Sequence, residues 1–267
     1  MVTAAAALMV WAFLAQAMAI SSIDVDDAKK DVGVVGTEVE SNNDKLLNKL
    51  KVKIFKEVDE KNYYTYNLLV NAKESFPLQM LNGRYVHNVL QHVSGNSFKV
   101  LEKTTIVAEM KDPDAVFLQS IQMIKWTDKS KAVIKAKDLV KNKKTQEEKV
   151  KAIYNFVISN ITYHTEVKDM LPGDYLPDID KVLAAKKGIC YDYSSLFAAM
   201  LRSQGIPAKL IMGYASWAEG EFHAWNEVLL DGEWIVVDTT YDAAAKAAKK
   251  PYDMAKNPKM YKGTRLY

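Results

Sequence analysis

Hydrophobic positions change period along this chain near residue 128. Before it, Leu50, Val52 and Ile54 alternate with lysines, and residues 63–70 and 98–110 form two further runs of the same kind, the period of two expected of strands. Between those runs Leu78, Leu81, Tyr85 and Val89 fall near one face of a helix, so residues 77–93 read as helical, while residues 116–126 follow neither period. After the change, Thr145 and Glu148 have the spacing of a capping box, and Val150, Ile153, Tyr154, Val157 and Ile158 continue as one helical stripe. Residues 178–187 suggest a short helix. In GICYDYSSLFAAMLRSQGIP, residues 188–207, Leu196, Phe197, Met200 and Leu201 recur at helical spacing. Gly205 then suits a left-handed closing position, Ile206 supplies the accompanying apolar contact, and Pro207 cannot continue the helix. Leu210 and Met212 mark another strand. Asp231-Gly232, between two alternating runs, is a hairpin signal.

That hairpin carries a register. Leu230 stands opposite Glu233, Trp225 opposite Asp238 and His223 opposite Thr240, so His223 and Asp238 project from one face as diagonal neighbours. Such neighbours start roughly 7–8 Å apart, close enough for an imidazole and a carboxylate to meet; a slip of one residue would separate them. Upstream, Cys190 falls in the first turn of the predicted buried helix, where unpaired N–H groups and the helix dipole favour a thiolate, the condition for a nucleophile. Asp192 is a like charge working slightly against this. A small apolar cysteine under a helix, a satisfied histidine and a turn-forming aspartate are the bland explanations of each residue alone. Their joint arrangement favours catalysis by Cys190, His223 and Asp238.

These blocks carry a resemblance. GICYDYSSLFAAMLRSQGIPAKLIMGYA, then HAWNEV, then Trp234 to Asp238 as W-x-x-x-D, resemble the core of the transglutaminase-like superfamily over roughly residues 129–242. The resemblance implies an α+β, papain-like fold with a helix-borne cysteine packed on an antiparallel sheet carrying His and Asp. It also implies a Cys-His-Asp triad working through a thioester, on protein glutamine or other amide groups, to crosslink or deamidate. Peptidases and amidases share the fold, so fold alone does not choose the reaction; a cysteine peptidase, or a non-catalytic cell-surface binding module, is the alternative. The resemblance leads Tyr163 toward the cleft. Tyr163 or Tyr175 is a candidate to add a hydroxyl to the Cys190 amide as an oxyanion donor, with a tyrosine at a core edge as the plainer reading. Trp225 is expected to shield the carboxylate–imidazole contact or to wall an acyl slot. No cofactor is expected, and calcium dependence is not implied.

The first nineteen residues contain no charged side chain and an apolar run ending in Ala17-Met18-Ala19, resembling a signal peptide that lacks a basic start. Residues 1–19 are therefore read as a signal peptide, 20–46 as a polar linker, 47–127 as a β-rich N-terminal domain and 128–267 as the catalytic domain. The run is short for a membrane span, so the mature chain is expected to be secreted or held at the cell surface, without a span. With 267 residues and 49% hydrophobic composition, one large or two small domains are affordable. A formal net charge of +3 argues for no particular partner and gives nucleic-acid binding no support. Lys246, Lys249, Lys250, Lys256, Lys259, Lys262 and Arg265, against only Asp242 and Asp253, read as a solvated basic tail. Attraction of that tail to an anionic wall polymer or membrane is the sharper alternative. The expected partners are protein or peptide substrates, including cell-wall or surface proteins.

Overall fold

A computed structural model describes residues 20–42, 49–167 and 170–267. The chain divides into two compact units, Met1–Pro113 and Asp114–Tyr267. The proposed signal sequence lies outside the described residues.

The first unit contains β1 (Ile20–Asp26), β2 (Val34–Ser41), β3 (Leu50–Lys56), β4 (Asp59–Leu68), β5 (Glu74–Pro77), β6 (Gly83–Ser94) and β7 (Ser97–Ala108). They form two antiparallel sheets, ordered β1-β2-β5 and β4-β3-β6-β7. Apolar side chains of both sheets make the core: Val35, Val39 and Phe76 from one, Val52, Tyr66, Tyr85 and Val89 from the other. The Tyr66 and Phe76 rings meet at 4.9 Å. The Thr37 hydroxyl and His87 Nε2, 2.9 Å apart, share a buried hydrogen bond between β2 and β6. Burial pushes the His87 imidazole down to about 4.

Two expectations change here. The expected linker over 20–46 is folded where it is described, because β1 and β2 lie in it and Val35 and Val39 are fully buried; its acidic side chains stay outside the core, at strand positions such as Asp24 and Glu40 and in the connection between the strands at Asp27 and Asp31. Residues 77–93 are not a helix. Leu81, Tyr85 and Val89 are four apart, a spacing that suits both a 3.6-residue and a two-residue repeat, and the buried Tyr85, His87 and Val89 show that the period of two holds.

The second unit begins at Asp114, earlier than the expected boundary at 127, because the segment after Pro113 is tied to later elements. Gln119 O accepts from Arg202 Nη1 at 2.7 Å, Met123 O accepts from the Ser195 hydroxyl at 2.8 Å, and Phe117 packs edge-on against Trp234. The unit runs α1 (Lys131–Val140), α2 (Gln146–Asn160), β8 (Thr162–Tyr163), α3 (Ile179–Ala185), β9 (Lys187–Gly188), α4 (Cys190–Arg202), β10 (Ala208–Ala215), β11 (Phe222–Leu230), β12 (Glu233–Val237), α5 (Thr239–Ala247), β13 (Ala255–Lys256) and β14 (Tyr261–Leu266). Its larger sheet is antiparallel in the order β13-β12-β11-β10-β14. Helix α4 packs on β10 and β11, and α1, α2, α3 and α5 pack against α4 in turn.

Local chemistry accounts for the helices. Thr145 Oγ1 accepts from Glu148 N while Glu148 Oε2 accepts from Thr145 N, a reciprocal capping box, and the five stripe residues of α2 are all buried. Helix α4 is buried nearly throughout. It closes with Gly205 at φ 74°, Gly205 N–H bonding Arg202 O and Ile206 N–H bonding Leu201 O, the paired bonds of a Schellman motif. The supposed basic tail is folded: it forms the end of α5 and both outer strands of the sheet, and Lys256 is bonded to the buried carboxylate of Asp242.

Candidate active site

Cys190 is the first residue of α4, so its backbone N–H belongs to the unpaired set at a helix start. Three neighbours fix that turn. Thr162 and Tyr163 pair in parallel with Lys187 and Gly188, bringing Tyr163 beside the helix start. Asp192 Oδ2 accepts the Ile189 N–H at 2.8 Å, and Oδ1 accepts the Tyr175 hydroxyl at 2.6 Å. Glycine at 188 is a condition of that cap, since a Cβ there would stand 2.6 Å from the Asp192 Cβ. Burial holds the Asp192 carboxyl above the usual range, with the hydrogen bonds from Tyr175 and Ile189 opposing it in part.

The hairpin delivers the other two groups. Its ladder runs from Leu230↔Glu233 to Asn226↔Val237 as the sequence predicts. It then stops, one pair before Trp225 would meet Asp238, because Asp238 caps α5: its Oδ1 accepts the Tyr241 N–H at 3.0 Å. His223 and Asp238 meet nonetheless, with Nε2 and Oδ2 2.9 Å apart. Asn226, fully buried on the same strand, donates from Nδ2 to Ser194 O and to Lys209 O, both at 3.0 Å, and so ties β11 to α4 and β10. With Nε2 turned to Asp238, Nδ1 is the ring's remaining polar atom, and His223 and Cys190 line the same cleft.

The imidazole is 7% exposed and the carboxylate 0%. Burial alone would push His223 down and is the largest single influence on it. The hydrogen bonds and charges of Asp238 and Cys190 together outweigh burial, and the ring is pushed up to about 9. Trp217 stands edge-on to the ring at 4.9 Å, and Trp225 lies nearly parallel to it at 6.3 Å.

Tyr163 and Cys190 line the same cleft; burial, then the charges of Cys190 and Glu221, push the Tyr163 hydroxyl up to about 12. Cys190, His223 and Tyr163 open on a cleft of about 700 Å³, walled by Trp217 and the alanine face of α5. The structure therefore brings together Cys190, His223, Asp238 and Tyr163. It leaves Tyr175 out of the cleft, committed to Asp192. Trp225 is 2% exposed and packs with Ile211 and Val236, so it covers the imidazole from the core side and walls no acyl slot. Among the described residues, no group of three or more His, Cys, Asp and Glu side chains is placed to hold a metal ion.

Two contributors escape sequence reasoning. Tyr261, from β14, donates its hydroxyl to Asp238 Oδ2 at 3.1 Å, and Trp217 Nε1 donates to the Tyr261 oxygen at 3.2 Å. Nothing local in the chain marks Tyr261. Trp217, a large aromatic in a short polar loop between two strands, carries a faint signal.

The family model for the transglutaminase-like superfamily core matches residues 135–239. Over 113 residues the chain is 31% identical to kyphoscoliosis peptidase of Mus musculus, and equally to that of Homo sapiens; the match takes in 39% of this chain and spans 17% of the length of those relatives. Among solved structures, the periplasmic domain of TgpA from Pseudomonas aeruginosa is similar with a TM-score of 0.41 and 14% identity, over 85% of this chain and 95% of that one.

Proposed function

We propose that the chain, whose residues 135–239 match the family model of the transglutaminase-like superfamily, is a cysteine-dependent acyltransferase or hydrolase acting on amide groups of proteins or peptides. The observation that carries this reading is the buried His223 imidazole held between Asp238 and Cys190 where the cleft begins.

In this reaction Cys190 Sγ, its proton held by His223, attacks the amide carbonyl carbon, and Asp238 keeps the imidazolium charged and oriented. The Cys190 backbone N–H and the Tyr163 hydroxyl are the donors for the developing oxyanion. As the C–N bond breaks, the His223 proton passes to the leaving nitrogen, which departs as an amine or as ammonia. The remaining thioester is attacked by a primary amine, giving a new amide, or by water, giving an acid. His223 takes the proton of the attacking group, the C–S bond breaks, and the Cys190 thiolate is released beside the imidazolium. The charge-free apolar start of the chain supports export, placing the substrates among secreted, wall or surface proteins.

The test is mass spectrometry of a glutamine-rich protein incubated with the purified chain and a labelled primary amine, beside Cys190→Ala. Amine incorporation, conversion of carboxamide to acid, or new chain termini, each lost in the variant, identifies transamidation, deamidation or peptidase action respectively. Product formed equally by the variant would overturn the reading.

A further inference from the structure

Asp238 is bonded by more donors than the orientation of His223 requires. Its Oδ2 accepts from both His223 and the Tyr261 hydroxyl, and behind Tyr261 stands the indole N–H of Trp217, itself a wall of the cleft. We propose that Tyr261 is a positioning residue for acyl transfer, ending a relay from Trp217 that weakens the hold of Asp238 on the His223 proton. This rests on the reading above, in which His223 gives that proton to the leaving nitrogen.

The fold builds this contact at some cost. β14 bulges where it passes Gly213, and a Cβ at 213 would stand 2.1 Å from Lys262 O, so the close approach of β14 to β10 depends on glycine there. That approach pairs Ala215 with Tyr261 and lays the Tyr261 ring against Trp225 at 5.2 Å. The hydroxyl then lies on the oxygen His223 uses. A donor on that oxygen takes up part of its negative charge, so the carboxylate stabilises the imidazolium less and the ring remains a usable acid. The Trp217 N–H polarises the Tyr261 O–H and strengthens its donation.

The other groups facing this pair come from every surrounding element. Cys190 from α4 and Asp238 act directly on His223. Tyr163 from β8 and Glu221 from the loop before β11 line the cleft with Cys190, and the charges of Cys190 and Glu221 both act on Tyr163. Tyr154 from α2 and Asp242 from α5, the latter joined by Lys256, lie behind Asp238. Among the described residues, Tyr261 is the one side chain besides His223 hydrogen-bonded to Asp238.

The experiment is a pH titration of the His223 ring by NMR on the full chain labelled in histidine, assigned with His223→Gln, in the wild type, Tyr261→Phe and Trp217→Phe. Tyr261→Phe is expected to raise the His223 midpoint, weakening the acid by about threefold or more, and to lower kcat with KM unchanged. Trp217→Phe is expected to move the midpoint the same way by less. An unchanged or lowered midpoint in Tyr261→Phe overturns the relay. If that variant does not fold, as judged by its thermal midpoint, absence of an upward shift in Trp217→Phe overturns it instead. The titration needs no substrate, so failure to find amide turnover would count against the enzymatic reading and leave the relay to be decided by NMR.

Discussion

At Asp238 one carboxylate does two jobs: it caps a helix through Oδ1 and holds the imidazole through Oδ2. Asp238→Asn keeps the shape and removes the charge. The burial of His223, already the largest influence on it, is then opposed by Cys190 alone. The His223 midpoint is expected to fall from about 9, and turnover to drop on the order of 10³ to 10⁴-fold, as when a triad acid becomes neutral. In the wild type, the rate is expected to decline as pH rises through about 9, where the imidazolium loses the proton destined for the leaving nitrogen. A pH–rate profile of both proteins checks the pair of statements. An alkaline limb at the same pH in Asp238→Asn would show that the carboxylate does not set the imidazole.

Among the elements, the segment after Tyr241 keeps most of its cations in solvent, as its composition suggests, yet it is folded and ties one of them down. Lys256 is bonded to Asp242, which is 0% exposed and also accepts from the Tyr154 hydroxyl at 2.8 Å. Lys256→Met would leave that carboxylate buried with one neutral donor, and should cost on the order of 3 kcal/mol, read as a lowered denaturant midpoint for the second unit. A loss below about 0.5 kcal/mol, typical of an exposed pair, would mean the segment behaves as the solvated tail its composition suggests. What the sequence made legible is local: the capping box of α2, the glycine closure of α4, and the Asp231-Gly232 turn that sets the register of His223. Each is written within a few residues, where spacing alone fixes geometry. The rest depends on partners far along the chain. β14 reaches Asp238 only through its pairing with β10, β2 is recognisable as a core strand only once β5 is beside it, and β6 repeats at four residues, a spacing common to both periods. Tyr175 looked as eligible as Tyr163 until the pairing of β8 with β9 put one tyrosine at the thiol, and the Asp192 cap claimed the other.

Across the whole molecule, two buried histidines tie stability to pH in opposite directions. His87, in the first unit, is pushed down to about 4 by burial. Its unfolded form binds more protons between about 4 and the ordinary 6.5, so its contribution is complete above 6.5 and is lost as pH falls toward 4. His223, in the second unit, is pushed up to about 9. The folded form binds the extra proton, so its contribution is complete below 6.5 and is lost as pH rises toward 9. Each amounts to about 3 kcal/mol at most. The first unit is therefore expected to loosen on the acid side, the second on the alkaline side. Carboxylates titrate in both units, so the comparison must be with variants that lack only the imidazole. Hydrogen exchange of β6 amides in the wild type and His87→Gln, and of β11 amides in the wild type and His223→Gln, isolates the two effects. The wild type should lose protection relative to His87→Gln in β6 between pH 6.5 and 4, and relative to His223→Gln in β11 between pH 6.5 and 9. Loss at the same end of the scale in both strands would mean that one of the two histidines does not carry the charge state its surroundings impose.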